Sequence, residues 1–113
     1  MILTGKQKRH LRALGHGLRP LVQVGKQGVV ATVIAQTREV LAAHELVKVK
    51  LLETCPIDRD ECAAALAEAT GADVAQTLGR TVLLYLPKPE HPVIQLPKGR
   101  PAAGGKDDAD EPS

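Results

Sequence analysis

The chain has 113 residues, enough for one domain with a real core and too few for two, and its apolar fraction of 43% fits a globular protein. With no Phe, no Trp and one Tyr it has almost no aromatic surface on which to stack planar ligands; no apolar run approaches the roughly 18 residues of a membrane span, and residues 1–20 put charges where a signal peptide would have its apolar stretch, so a cytosolic protein without a membrane partner is expected. The net charge of +2 hides an asymmetry: residues 1–50 hold nine Lys/Arg against Glu39 and Glu45, while residues 51–113 hold six against eleven carboxylates. So basic a first half implies either an anionic partner or a well-solvated surface.

Thr4 followed three residues later by Gln7 is a capping-box pattern, and the spacing predicts a helix from Gly5 to about His16, closed by Gly15 and Gly17. Leu11 and Leu14 share one side of it with Gln7, while Lys8, Arg9 and Arg12 spread over the other. Pro20 can begin a strand but not sit inside a central one, which makes Leu21–Val24 the first strand. Gly25-Lys26-Gln27-Gly28 follows, and Val30, Val33, Ile34 and Leu41 then recur at helical spacing to about His44. Residues 46–52 alternate Val47, Val49 and Leu51 with Lys48 and Lys50, a strand with one covered face. Asp58 and Glu61 cap a third helix carrying Cys62, Leu66 and Ala69 and ended by Gly71; residues 72–87 read as two strands about a tight turn at Gly79-Arg80.

The element order is therefore α-β-α-β-α-β-β, an α/β fold in which three helices accompany a mixed four-stranded sheet in one compact domain. Six prolines fall between residues 87 and 112, and the composition of residues 98–113 cannot bury enough apolar surface to offset its ordering entropy. The expected organisation is a domain over residues 1–97, with Val93, Ile94 and Leu96 laid on it, and a disordered acidic tail over 98–113.

The glycine loop carries the chemistry. Gly25 and Gly28 remove the side chains that would hold a backbone at a distance, and the amides of Gly28 and Val29 are expected to open the second helix, whose positive end favours an anion. Lys26 adds a mobile charge and Gln27 a donor, but no nucleophile or base is present. The loop lacks the third glycine of a dinucleotide fingerprint and the Gly-Lys-Ser/Thr of a P-loop; it matches the GxxG clamp by which KH modules hold backbone nucleotides.

Residues 3–29, "LTGKQKRHLRALGHGLRPLVQVGKQGV", followed by "HELVKVKL" and "GRTVLLYLP", resemble the CRM domain, the chloroplast RNA splicing and ribosome maturation domain, in its stand-alone bacterial YhbY-type form, over about residues 1–97. The resemblance implies a fold like the C-terminal domain of translation initiation factor three and binding of structured RNA, with ribosomal RNA in precursors of the large subunit as partner. By position it assigns RNA contacts to Gly25, Lys26, Gln27 and Gly28 and to Lys6, Lys8, Arg9, Arg12 and Arg19. Leu86 departs from the family's frequent arginine before the proline, so no RNA contact is assigned to the end of the sheet.

Lys48 and Lys50 either extend the RNA surface or keep a sheet face soluble. His10, His16, His44 and His91 are too scattered for a metal site, and His44 with Glu45 reads as a helix end. Cys55 and Cys62 read as free thiols, and Asp58, Asp60 and Glu61 as first-turn carboxylates favoured by the helix dipole. Neither a catalytic set, a cofactor nor a small-molecule substrate is expected. The alternatives to a non-catalytic RNA-binding factor of large-subunit assembly are a protein-binding adaptor and an enzyme acting on RNA or a phosphorylated substrate.

Overall fold

A computed structural model describes residues 3–89, 92–94 and 96–97 of the chain. Its elements are α1 (Gly5–His16), β1 (Pro20–Val24), α2 (Ala31–His44), β2 (Leu46–Leu51), α3 (Arg59–Thr70), β3 (Asp73–Leu78) and β4 (Thr81–Tyr85), in the order the sequence predicts. His91 and the expected tail over residues 98–113 lie outside the described residues.

The sheet order is β1-β2-β4-β3, with β1 parallel to β2 and β4 antiparallel to both of its neighbours. The strands joined through helices do share one direction, but β4 is inserted between β2 and β3. Composition explains the insertion. Val82, Leu83, Leu84 and Tyr85 are all buried, which suits a strand covered on both faces, whereas Asp73, Gln76 and Thr77 suit the edge.

Two cores result. On one face Val22, Val24, Val47, Val49, Val82 and Leu84 pack under α2 and α3, which contribute Leu41, Cys62 and Leu66. On the other, Leu46, Ala75, Leu83 and Tyr85 pack under Leu3 and Leu11, with Ile94 and Leu96 added from the C-terminal segment. The second cover is incomplete: α1 lies across β2, β4 and β3, while Leu21 and Gln23 of β1 stay exposed.

The expected capping box at α1 is present: the amide of Gln7 donates to the Thr4 hydroxyl and the amide of Thr4 to Gln7 Oε1, each at 3.0 Å. Gln7 also donates from Nε2 to the carbonyl of Pro97 at 3.0 Å, so this buried amide fastens the C-terminal segment to α1. The buried stripe of α1 is Gln7, Leu11 and Gly15; Leu14 does not join it and is 42% exposed. Gly15 is inside the helix because α1 approaches β4 there: a Cβ at this position would stand 2.7 Å from Leu83 Cδ2. Helix geometry puts Leu14 on the flank of the stripe, where it lines an open groove with Leu21 and Leu46 of the sheet.

Glu45 is more than a helix end. It is the single residue between α2 and β2, it takes φ 64°, and it is fully buried. Its carboxylate accepts the amides of Lys88 (2.8 Å), Val93 (2.9 Å) and Ile94 (2.7 Å), and its carbonyl accepts that of Leu86 at 2.8 Å. Of the residues expected to lie on the domain after β4, Ile94 and Leu96 do, but Val93 is 66% exposed because its amide, not its side chain, faces Glu45.

Burial alone would raise the Glu45 pKa, but the three amides and the charge of Lys88 outweigh it and hold it below its ordinary value of 4.5. A carboxylate with a lowered folded-state pKa stabilises the protein above the unfolded-state value and loses that contribution as pH falls through the folded-state value. Urea unfolding between pH 7 and pH 3 should therefore show a loss of stability in acid that is blunted in Glu45→Gln. At pH 7 that variant, which sets an amide NH2 against main-chain donors, should be less stable by about 3 kcal/mol. Equal stability of the two proteins at pH 7 would contradict the role given to the carboxylate.

Candidate nucleic-acid interface

The first strand must end where its ladder with β2 ends, and the chain then turns tightly. The amide of Gly28 donates to the carbonyl of Gly25 at 3.0 Å, closing a β-turn with Lys26 and Gln27 at its exposed tip. The two glycines are there for different reasons. Gly28 takes φ 73°, a conformation that side chains resist. Gly25 has no positive φ, and a Cβ on it would make only ordinary contact with Leu52 Cδ1 at 3.6 Å. The fold therefore requires a glycine at 28 and merely accepts one at 25.

The turn does not open α2 directly. The Gly28 amide is consumed within the turn, Val30 donates to the carbonyl of Gly28 at 3.1 Å, and the helix begins at Ala31, so the expectation that the Gly28 and Val29 amides form its positive end is corrected. Val29 packs partly against the core under α2, and Val30 is extended at the N-cap, a conformation that suits β-branched residues. Val30 offers no side-chain cap and the first turn holds no carboxylate, which leaves the amides of Ala31, Thr32 and Val33 without a capping acceptor. The positive end exists, displaced three residues along the chain.

The basic residues fall into two groups. Arg19 leads into β1, Lys48 pairs with Pro20 and Lys50 with Gln23, so these cations, with Gln23, line the half of the sheet face that α1 leaves open and lead along it toward the turn. Among the described residues Arg19, Lys26, Lys48 and Lys50 make no ion pair. The other group is on α1: Lys6, Lys8, Arg9 and Arg12 are all exposed. About its axis, Lys6 stands on the flank shared with Leu14 and the open half-face, Arg9 points outward, and Lys8 and Arg12 lie on the far flank. Helix geometry thus turns Lys6 toward the flank of α1 that carries Leu14, beside the groove of Arg19 and Lys48, and turns Lys8 and Arg12 away from it.

The remaining chemistry-bearing residues have structural places. The Asp58 carboxylate accepts the Glu61 amide at 2.8 Å as the α3 N-cap, with Asp60 and Glu61 in the first turn. Both cysteines are free; burial, with Cys55 beside it, pushes the Cys62 thiol up to about 11, far from a reactive thiolate. Among the described residues no group of three His, Cys, Asp or Glu side chains is placed to hold a metal ion, and no helix is long and apolar enough to cross a membrane. An apolar groove lined by Leu14, Leu18, Leu21 and Leu46 adjoins Arg19 and Lys48, and sequence reasoning missed it. Its only signal in the sequence is the spacing of Leu14, Leu18 and Leu21 around a helix end.

Comparison with known proteins gives consistent matches along this chain. A family model described as the CRS1 / YhbY (CRM) domain matches residues 3–85. A Bacillus subtilis protein named "Probable RNA-binding protein YqeI" is 45% identical over 96 residues, spanning 85% of this chain and 100% of the relative. A Haemophilus influenzae protein named "RNA-binding protein" is 36% identical over 96 residues, spanning 85% of this chain and 96% of the relative. The solution structure of SAV1595 from Staphylococcus aureus matches with a TM-score of 0.73 at 40% identity, over 85% of this chain and 100% of that one. A domain model covering every helix and strand, together with relatives matched over almost their whole length, shows that the chain belongs to the CRS1/YhbY (CRM) domain family.

Proposed function

We propose that the protein is a non-catalytic, cytosolic RNA-binding factor that recognises structured RNA, namely ribosomal RNA in precursors of the large subunit. The observation that carries the RNA reading is the turn at Gly25–Gly28: its first glycine is not required by the fold, its tip exposes a cation and an amide, and an uncapped helix N-terminus follows within three residues. A phosphate needs these features, namely close approach to backbone, a mobile positive charge and unsatisfied N–H donors. Arg19, Lys48 and Lys50 continue the positive surface along the open half-face, and Lys6 lies on the flank of α1 turned to it, with Lys8, Arg9 and Arg12 reaching only RNA that wraps the helix. The relatives' names support RNA as the ligand class, and the resemblance to stand-alone bacterial CRM proteins supports the ribosomal part.

Recognition in this reading is by backbone and shape. The single Tyr is buried at 1% exposure, so no aromatic platform is offered to bases. Arg80 stays a turn residue, and a protein-adaptor role gains no specific observation.

The two glycines separate folding from binding. Gly28→Ala should cost about 1–2 kcal/mol in urea unfolding because of its left-handed backbone, whereas Gly25→Ala should leave stability within about 0.5 kcal/mol. Gly25→Ala should nonetheless weaken binding to a structured RNA hairpin; unchanged affinity would reduce the turn to a chain reversal.

Replacing Lys26 and Gln27 together by Asp should abolish hairpin binding while the circular dichroism spectrum and melting cooperativity stay intact. Lys48→Gln should lower the slope of log affinity against log salt by about 0.7–0.9 for a lost phosphate contact, and Arg12→Gln should lower it by less. A larger loss from Arg12 would move the interface to the far flank of α1. In cells, the tagged protein should sediment at or below the large subunit and leave those particles when salt is raised. Recovery spread evenly over polysomes would contradict a role in assembly.

A further inference from the structure

The surface assigned to RNA contains something that paired RNA has no use for. Between α1 and β1 runs a groove of about 360 Å³, with Leu14, Leu18, Leu21 and Leu46 as its apolar walls and Arg19 and Lys48 among its lining. Leu14, Leu18 and Leu21 are 42%, 38% and 46% exposed, so a connected aliphatic surface meets water at the edge of the second core. A duplex presents phosphates and ribose to a protein surface and would leave these leucines uncovered. A groove of this size lies within the range of small-molecule sites and is ample for one planar heterocycle.

We infer that this groove seats an unpaired nucleobase of the bound RNA, its flat face against Leu14, Leu18 and Leu21 and its phosphate between Arg19 and Lys48. The inference rests on the RNA-binding reading above and names the RNA feature that reading leaves open. Three observations select this occupant. The charged lining is cationic and holds no carboxylate, so an anionic ligand with an apolar part is matched and a basic protein segment is not. Arg19 and Lys48 make no ion pair among the described residues, so their charges are available to a phosphate. The groove is also continuous with the proposed phosphate track, since Lys48 and Lys50 lie on one strand and Lys50 pairs with Gln23, two residues before the turn.

An aliphatic seat differs from an aromatic one in what it selects. It removes the seated face of the base from water without the directional stacking that distinguishes purines from pyrimidines, so it favours any nucleotide free of the helix. A bulge or an unpaired loop base meets that condition, and a continuous duplex does not. The protein would thereby prefer RNA whose pairing is incomplete.

The test uses the full chain and two RNA hairpins of equal length, one fully paired and one with a single bulged 2-aminopurine. At fixed salt the native protein should bind the bulged hairpin about tenfold more tightly. Fluorescence of the bulged base should rise on binding, because no aromatic side chain is at hand to quench it. Leu18→Gln/Leu21→Thr, both at exposed positions, should bind the paired hairpin as the native protein does and lose the preference and the fluorescence change. Leu14→Gln, at the half-exposed groove wall on the flank of α1, gives a second and independent variant with the same expected loss. Equal binding of both hairpins by the native protein overturns the base seat and leaves the RNA reading standing; binding of neither overturns both. Variants that keep the bulge preference but lose a co-purifying protein or concentration-dependent self-association would show that the groove seats a protein side chain or a second copy, and would overturn the proposal.

Discussion

A buried carboxylate can persist in a small protein only if its lone pairs are filled, and the way Glu45 fills them governs which surfaces the domain leaves open. Three main-chain amides, from residues 43 to 49 positions away in the chain, converge on it. Its backbone meanwhile turns α2 into β2 in one residue, with φ 64°. The cost of desolvating the charge is offset by these donors, and the result is a clasp between the centre of the sheet and the segment after β4. Gln7 makes the second clasp, on Pro97. Together they lay Ile94 and Leu96 beside α1 over the second core.

That cover stops short of β1. The face beneath α2 and α3 is closed, while the opposite face is closed only over β2, β4 and β3, so the first strand and the outer side of the second keep Leu21, Gln23, Lys48 and Lys50 at or near the surface. Solvated lysines contribute little to folding stability, and they stay free to meet an anion. The proposed interface thus follows from an arrangement of packing: two clasps and a glycine contact, Gly15 on Leu83, hold the helix where it cannot reach the edge strand.

Local features were readable in the sequence because their causes are local. Thr4 with Gln7, Asp58 with the Glu61 amide, and Gly71 in the left-handed region all sit where capping rules put them. The hairpin turn at Gly79-Arg80 is equally plain, with φ 60° at the glycine. Non-local features were not readable. The buried role of Glu45 depends on amides of residues 88, 93 and 94, and nothing in "HEL" announces it. Helical period places Leu14 on one side with Leu11 and Gln7, yet the side of α1 that packs is decided by the close approach at Gly15. The turn Gly25–Gly28 was visible as a motif, but the displacement of the helix start to Ala31 arises from Val29 packing and Val30 remaining extended. The unbroken run Val82–Tyr85 did carry the information that β4 is central, in its lack of polar alternation.

The central claim is that RNA meets the turn and the open half-face and not another surface. Titrating the 15N-labelled protein with a structured RNA hairpin and following each backbone amide by NMR tests it most directly. The account predicts that the largest shifts fall on Gly25–Gly28, on Ala31, Thr32 and Val33, and on Arg19, Lys48 and Lys50. Amides of α3 and of β3, on the far edge of the sheet, should stay in place. Shifts concentrated on α3 or β3, with the turn unmoved, would contradict it.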